Sequence, residues 1–523
     1  MYTTRRVIVQ SDHVLHSYFD ETTKAANNLY NATLFRIRQV MTAVKKEPKQ
    51  RTANENEIMR EIESSLPAMN EIKMKTHSKK QGKAEHSQPK LFVMPTQEKW
   101  MLSQYFLDAL LKVTNNPDYC DERLSKQVAQ KVIRSACGDM LSFFRATKAF
   151  RKNPAAFTGK PKLPHYRKKG GSCTVIFTNQ DCVVKEAQQH ACLKFPLTDA
   201  TLDLGTLDAS QGRLKQVTVT PYHGVMHVQA VFDDEALPPS ACSEPKRICA
   251  IDFGVNNIAA ISNNIGKECL LFKGGVVKSV NQWYNKRIAD IMSKQTKGTT
   301  QKFCQTAEGD TLLIRRNNII RDFLHKVSKS IVEWCIENEI DTIIAGTNKF
   351  WKQNINIGRK NNQEFVQIPF DMLRGFLKYR AERVGIQYVE QEESYTSQAS
   401  FLDGDFIPVY GDPNADKVSF SGKRKPTRYK GMHKAGGFRG LYATADGTII
   451  NSDLNGAANI DRKFTAAFAD GQSPNFNDCI IVVHPDLALR KALRARQRTN
   501  ARAFSKSKQR RMKQRESHVT PLG

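Results

Sequence analysis

The chain has 523 residues, room for roughly two to four domains, and a net charge of +28 from 80 Lys and Arg against 52 Asp and Glu. So large a basic excess excludes an ordinary enzyme of small molecules and points to a polyanionic partner. A membrane surface is a poor candidate, because the sequence has no run of about 18 apolar residues and its first residues, MYTTRRVIVQ, carry no signal-like apolar core.

In chain order, residues 3–10 (TTRRVIVQ) read as a strand. From His16 to about Val44, Tyr18, Ala25, Leu29, Ala32, Leu34, Ile37 and Val40 form one apolar helical face. Residues 45–92 are polar and of mixed charge and are expected to be an exposed, mobile basic insertion with at most a short helix near 56–64. Helices are predicted over about 97–114 and 122–150. Residues 145–169 then hold nine Lys or Arg, no acid, and prolines at 154, 161 and 164. Proline keeps such a segment extended. Arg151, Lys152, Lys160, Lys162, Arg167 and Lys168 are candidates for phosphate contacts, and Tyr166 for stacking on an unpaired base. From Cys173 to about Glu235 the period changes to two, predicting the short strands of a small antiparallel barrel or sandwich, with residues 236–246 as a linker.

Residues 247–263, RICAIDFGVNNIAAISN, read as two buried strands joined by a turn at Gly254 and the pair Asn256-Asn257. Asp252 ends the first of them. A carboxylate there is costly to bury unless it meets a cation or donors, which makes it a candidate metal ligand. A strand at about 268–273, helices at 280–294 and 311–338, a strand at 341–348, a helix at 369–384 and a strand at 386–391 follow. That order is the order of a ribonuclease-H-like domain, whose acids gather at the ends of the central strands. Asp453 in INSDLNGAANIDRK opens a helix whose Gly456, Ala457 and Ala458 permit close packing on a sheet; on its own it is equally a helix cap. Two-metal phosphodiester hydrolysis wants about three such acids. The third is missing from the end of the 341–348 strand, where Gly346 and Thr347 stand, so VEQEESYTS (389–397) must supply it. Glu393 is the choice and Glu392 the alternative, since strand alternation puts 390 and 392 on the same face.

The segments IDFGVNNIA, GTNKFWKQNINIGRKNNQEFVQIPF, EESYTSQASFLDGDFIP and INSDLNGAANI, in this order, resemble the TnpB/OrfB proteins of insertion sequences, relatives of type V CRISPR effectors. NNLYNATLFRIRQ and FTGKPKLPHYRKK look similar too, so the resemblance covers about residues 1–465. It implies a multidomain α+β protein: a β-barrel wedge (1–10 and 171–240), an inserted helical recognition domain (11–170), and a RuvC-like α/β nuclease domain (247–397 and 447–466). Many relatives place the second acid after the fourth strand, so this chain is similar to a subgroup with a relocated glutamate. Many also carry a CxxC…CxxC zinc ribbon between the second and third acids. The 11 cysteines here include no CxxC, so no zinc is expected and they read as reduced thiols. A basic loop, 398–446, with Lys423, Arg424 and Arg439, takes the ribbon's place.

Lys352, Arg359 and Lys360 in WKQNINIGRKNNQ are further candidate phosphate or guide contacts, and residues 467–523 are expected to be a basic tail outside the nuclease core. The expected function is RNA-guided cleavage of double-stranded DNA beside a short flanking motif, with Asp252, Glu393 and Asp453 holding two Mg²⁺ (or Mn²⁺) ions. The expected partners are a guide RNA and target DNA, with no membrane. A cytoplasmic monomer is the default expectation. A guided DNA binder with weak or absent cleavage is the alternative, motivated by the displaced acid.

Overall fold

The computed structural model describes residues 1–78, 89–187, 190–206, 212–234, 245–300, 302–348, 363, 366–465, 473–483 and 485. The chain divides into two compact units, Met1–Ala236 and Leu237–Gly523. Among the described residues no helix is long and apolar enough to cross a membrane.

In the first unit, β1 (Tyr2–Val9) pairs antiparallel with β7 (Val225–Asp233), more than 200 residues later, in register Tyr2↔Asp233 to Val9↔Met226. β6 (Arg213–Tyr222) and β2 (Val175–Thr178) complete a four-stranded sheet, order β1-β7-β6-β2. β3 (Val183–Ala187), β4 (His190–Lys194) and β5 (Thr201–Asp203) form a separate sheet of three. The expected period-two strands are therefore present. Among the described residues they pair as two sheets, without the continuous ladder a closed barrel has.

Between β1 and β2 the described residues form four α-helices: α1 (Leu15–Ala43), α2 (Ala53–Ser78), α3 (Gln104–Val113) and α4 (Lys126–Lys152). Serine caps trim the predicted starts of two of them. Ser103 Oγ accepts from Phe106 N at 3.2 Å, and Ser125 Oγ accepts from Val128 N at 3.1 Å. The expected mobile insertion at 45–92 is overturned over most of its length. α2 occupies 26 residues and buries Ile58, Met59, Ile62 and Met69 in the unit's core. Those side chains stand at helical spacing, but the charged residues between them mask the pattern. Its start is a capping box: Thr52 N donates to Glu55 Oε2 at 2.8 Å and Glu55 N to Thr52 Oγ1 at 3.3 Å.

The second unit is built on a six-stranded sheet, order β12-β11-β8-β9-β10-β18. β8 (Ile248–Asp252), β9 (Asn257–Asn263) and β10 (Glu268–Lys273) are antiparallel neighbours. β11 (Thr342–Thr347) lies parallel to β8, and β12 (Gln387–Glu392) parallel to β11. Alternation along β8 and β11 gives the sheet two faces. Cys249, Ile251, Ile343 and Ala345 pack in the large core with α5 (Gly275–Thr296), α6 (Ala307–Glu337) and α7 (Phe370–Arg383). Ile248, Ala250 and Ile344 pack in a smaller cluster with Ile460 of α8 (Ser452–Thr465).

Two expectations for the later residues change. Residues 473–483 are no basic tail outside the core: β18 (Asn475–Val482) adds to the sheet parallel to β10 and buries Ile480 and Val482. The apolar run CIIVV carried that signal, and the basic residues after it obscured it. The basic segment 398–446 contains β13 (Lys423–Arg424), β14 (Arg428–Tyr429), β15 (Met432–His433) and β16 (Leu441–Ala443); with β17 (Ile449–Asn451), just beyond it, they pair as a small three-stranded sheet and a hairpin. Asp405 anchors it, accepting from Ser400 N at 2.7 Å and Ser421 Oγ at 2.6 Å, and Tyr442, fully buried, donates to Gln398 O at 2.7 Å.

Candidate functional site

Asp252 ends β8 with the face parity of Ala250, so it points toward α8. A Cβ on Gly456 would stand 2.8 Å from Asp252 Oδ2, so glycine at that position lets the helix lie over the carboxylate without displacing it. Asp453 occupies the first turn of the same helix, whose N–H groups Asn451 caps: its Oδ1 accepts from Asp453 N at 2.9 Å. The cap is therefore Asn451, and the Asp453 carboxylate is left for another use. Asn257, buried at the start of β9, donates to Asp453 Oδ2 at 2.7 Å and accepts from Lys273 Nζ at 2.8 Å.

Glu393 follows the last residue of β12. Its Oε1 accepts from Asn348 Nδ2 at 3.2 Å, and its Oε2 is buried with no hydrogen-bond partner among the described residues. That oxygen fills the space where a side chain on Gly346 would begin, with Ile460 Cδ1 on the other side. Here lies the physical reason that β11 ends without an acid: the glutamate from the neighbouring strand already occupies the room. Glu392 is held elsewhere, by Lys463 of α8 and by Ser394 N at 2.6 Å. Both glutamates thus have neighbours on α8. Strand alternation does not separate them, because the strand ends at Glu392 and the pleat no longer governs Glu393.

Asn455 and Asn459, one and two turns beyond Asn451, are fully buried and clamp the chain that leaves Glu393. Asn455 Nδ2 donates to Ala399 O at 2.8 Å and its Oδ1 accepts from Phe401 N at 2.9 Å; Asn459 Nδ2 donates to Thr396 O at 2.9 Å. One helix therefore carries Asp453, packs on Asp252 and fastens the segment bearing Glu393. These asparagines were not singled out from the sequence, and Asn257 and Gly346 figured there only as a turn residue and as the place of a missing acid. The spacing 451, 455, 459 was the available signal.

The electrostatics follow from the crowding. Burial pushes the Asp252 carboxyl well above its ordinary range, Glu393 and Asp453 push it the same way, and Arg424 opposes them. Burial raises Glu393 to about 7 against the pull of Arg374. Among the described residues no three His, Cys, Asp or Glu side chains are already gathered as a metal cage; Asp453 is turned to Asn257 and Glu393 to Asn348. The donor set nevertheless fits a hard divalent cation: all carboxylate oxygens, one of them buried and without a partner among the described residues, with an ionisation penalty that a cation relieves.

Beside Asp453 lies a cavity of about 950 Å³ whose walls include Lys273, Lys278, Arg424, Lys425 and Arg439. Lys423 is exposed on β13. In the first unit, Arg151, Lys152, Lys160, Lys162 and Lys168 are exposed. Tyr166 and Arg167 are partly engaged: Arg38 lies over the Tyr166 ring at 4.7 Å, Arg167 over Tyr30 at 3.5 Å, and Asn31 Oδ1 accepts from Arg167 N at 2.8 Å. The segment is thus tied to α1 in part, with its lysines outward. Lys352, Arg359 and Lys360, and residues 486–523, lie outside the described residues.

Two family models match the chain: OrfB_IS605, described as "Probable transposase", over residues 229–352, and the Cas12f1-like TNB domain over residues 370–460. A TnpB-like protein, ORF457 of Acidianus two-tailed virus, is 25% identical over 232 residues, covering 42% of this chain. The match spans 43% of that relative's length. Among solved structures, a Cas12f1–sgRNA–target DNA complex matches at 12% identity and TM-score 0.38, covering 88% of this chain and 98% of that one. The mini-RNA-guided endonuclease CRISPR-Cas phi3 matches at 8% identity and TM-score 0.38, covering 91% and 94%.

Proposed function

We propose, from the premise that this chain belongs to the TnpB family, that it is an RNA-guided DNA endonuclease with a single RuvC-type site. What supports the reading is that Glu393 and Asp453, from distant stretches, both act electrostatically on Asp252, that Glu393 keeps a buried oxygen without a partner among the described residues, and that Asp453 borders a cavity walled by cations. The second unit's strand order, with antiparallel β8–β10 followed by parallel β11 and β12, supports a ribonuclease-H-like nuclease domain. The first unit's β1–β7 pairing around an inserted helical block supports a wedge and a recognition domain, which would read a flanking DNA motif and hold the guide.

The three carboxylates would hold two Mg²⁺ or Mn²⁺ ions. When bound, these supply a water-derived nucleophile at neutral pH and charge stabilisation for the leaving 3′ oxygen. The chain's own residues do the rest. Asn257, itself held by Lys273, orients Asp453. Gly346 leaves room for Glu393, and Asn348 fixes one of its oxygens. Arg424, Lys425 and Arg439 draw a phosphodiester into the cavity.

The test begins with expression beside the native flanking DNA and sequencing of the RNA that copurifies. That RNA, the protein and Mg²⁺ should cut a matched DNA target and leave a mismatched one intact. Cleavage that survives Asp252→Ala would sink the assignment of the site. Shifting of matched DNA without any cutting would favour the guided binder instead.

A further inference from the structure

A second cavity, of about 800 Å³, adjoins the first and is not used by the roles assigned above. The two share Asn256, Lys273 and Lys278 as a common wall. Its size falls within the range of roughly 300–1,000 Å³ common for ligand pockets. Among the described residues its lining holds six amide side chains and three lysines, with no carboxylate and no aromatic ring.

One face of α5 supplies much of it: Lys278, Gln282, Asn285 and Lys286 recur at intervals of four, three and one. The far wall is pre-arranged. Asn285 and Gln367 hold each other through two reciprocal amide bonds, Nδ2 to Oε1 at 3.1 Å and Nε2 to Oδ1 at 2.9 Å. Arg316 ties that wall to α5, donating to Gln367 O at 3.0 Å and to Asn281 Oδ1 at 2.7 Å. Gln282 and Lys286 stay exposed to the cavity.

The chemistry selects the ligand. Amides present donors and acceptors together, as base edges do. Lysines suit phosphates. The described lining offers no ring for stacking, the mode that tolerates any base. The geometry points to a nucleotide subsite for the DNA strand being cut. On the proposed nuclease reading, on which this rests, the scissile phosphate lies at Asp453, the next phosphate passes the Lys273–Lys278 wall, and a neighbouring nucleotide is held by its base edge against Gln282 and the Asn285–Gln367 pair. The consequence is a base preference at one fixed offset from the cut.

The test uses the full chain with its guide RNA, Ca²⁺ in place of Mg²⁺, and fluorescein-labelled single-stranded DNA scanned with an abasic site at each position. Wild type should lose affinity roughly tenfold at one offset only, the scale of one good base-edge contact. The Gln282→Ala/Lys286→Ala variant should bind the intact strand roughly tenfold more weakly and give a flat scan, with guide binding unchanged. Lys294→Ala, further along α5, should behave as wild type. A flat scan for wild type, or a variant that binds like wild type, overturns the subsite. An equal dip with RNA of the same sequence overturns its assignment to the DNA strand. A wild-type protein that shows the dip yet never cuts keeps the subsite and loses the nuclease reading.

Discussion

Buried carboxylates in the two units have opposite fates. Glu55, at the start of α2, is almost wholly buried, yet every demand on it is met: Lys46 Nζ reaches its two oxygens at 2.8 and 2.9 Å, and Thr52 N donates at 2.8 Å. Burial would raise its carboxyl, but Lys46, Thr42 and Thr52 overcome this and bring it down to about 2. Glu393 has one amide donor and one orphaned oxygen, and burial takes it up to about 7. A satisfied buried acid is part of the architecture. An acid left unsatisfied near two others is a candidate for a functional role, here the proposed metal ligand.

The sharpest way to break that contrast is Asp252→Ala, expected to lower guide-dependent cleavage by about a hundredfold or more while leaving DNA binding intact. Gly346→Ala should approach the same loss, because a Cβ there displaces Glu393. Single-turnover cleavage and an unchanged gel shift would check both. If Gly346→Ala cleaves normally, Glu393 is not the second acid.

Next come the stabilities. Asp461 of α8 has both oxygens buried without partners among the described residues, and burial raises it from 3.8 to about 7. Its folded value exceeds its unfolded value, so its stability contribution is complete below about pH 4 and is lost as the pH rises through 7. Asp461→Asn should therefore stabilise the second unit at pH 8, by at most roughly 4 kcal/mol, and change little near pH 4. Glu55 has the opposite sign: its contribution is present above its ordinary 4.5 and lost as the pH falls through about 2. Glu55→Ala should cost roughly 2 kcal/mol at pH 7, and the gap to wild type should close toward pH 2. Denaturant titrations across pH would read both. The smallest effect belongs to Glu392→Gln, expected to change cleavage by no more than about threefold, since its carboxylate is engaged by Lys463 rather than by the site. A loss as large as that of Glu393→Gln would reverse the roles of the two glutamates.

Local patterning made much of the molecule legible. Alternation and helical spacing located β8 to β12 and the long helices to within a few residues. Asp252 stood out as an acid at the end of an apolar strand, and Asp453 as one opening a helix of small residues. α2 and β18 were obscured because dense charge surrounds their apolar residues. Between Glu392 and Glu393 the choice rested on alternation, which stops applying where β12 ends.

The sequence by itself determined the large basic charge, the order of the strands and two candidate acids, Asp252 and Asp453, because each depends only on composition or on neighbours a few residues away. The tertiary structure decided which glutamate acts on Asp252, why position 346 near the end of β11 is a glycine, and that Asn455 and Asn459 fasten the segment after Glu393 to the helix that carries Asp453. Those outcomes depend on residues distant in sequence meeting in the same few cubic ångströms, and only packing brings them together.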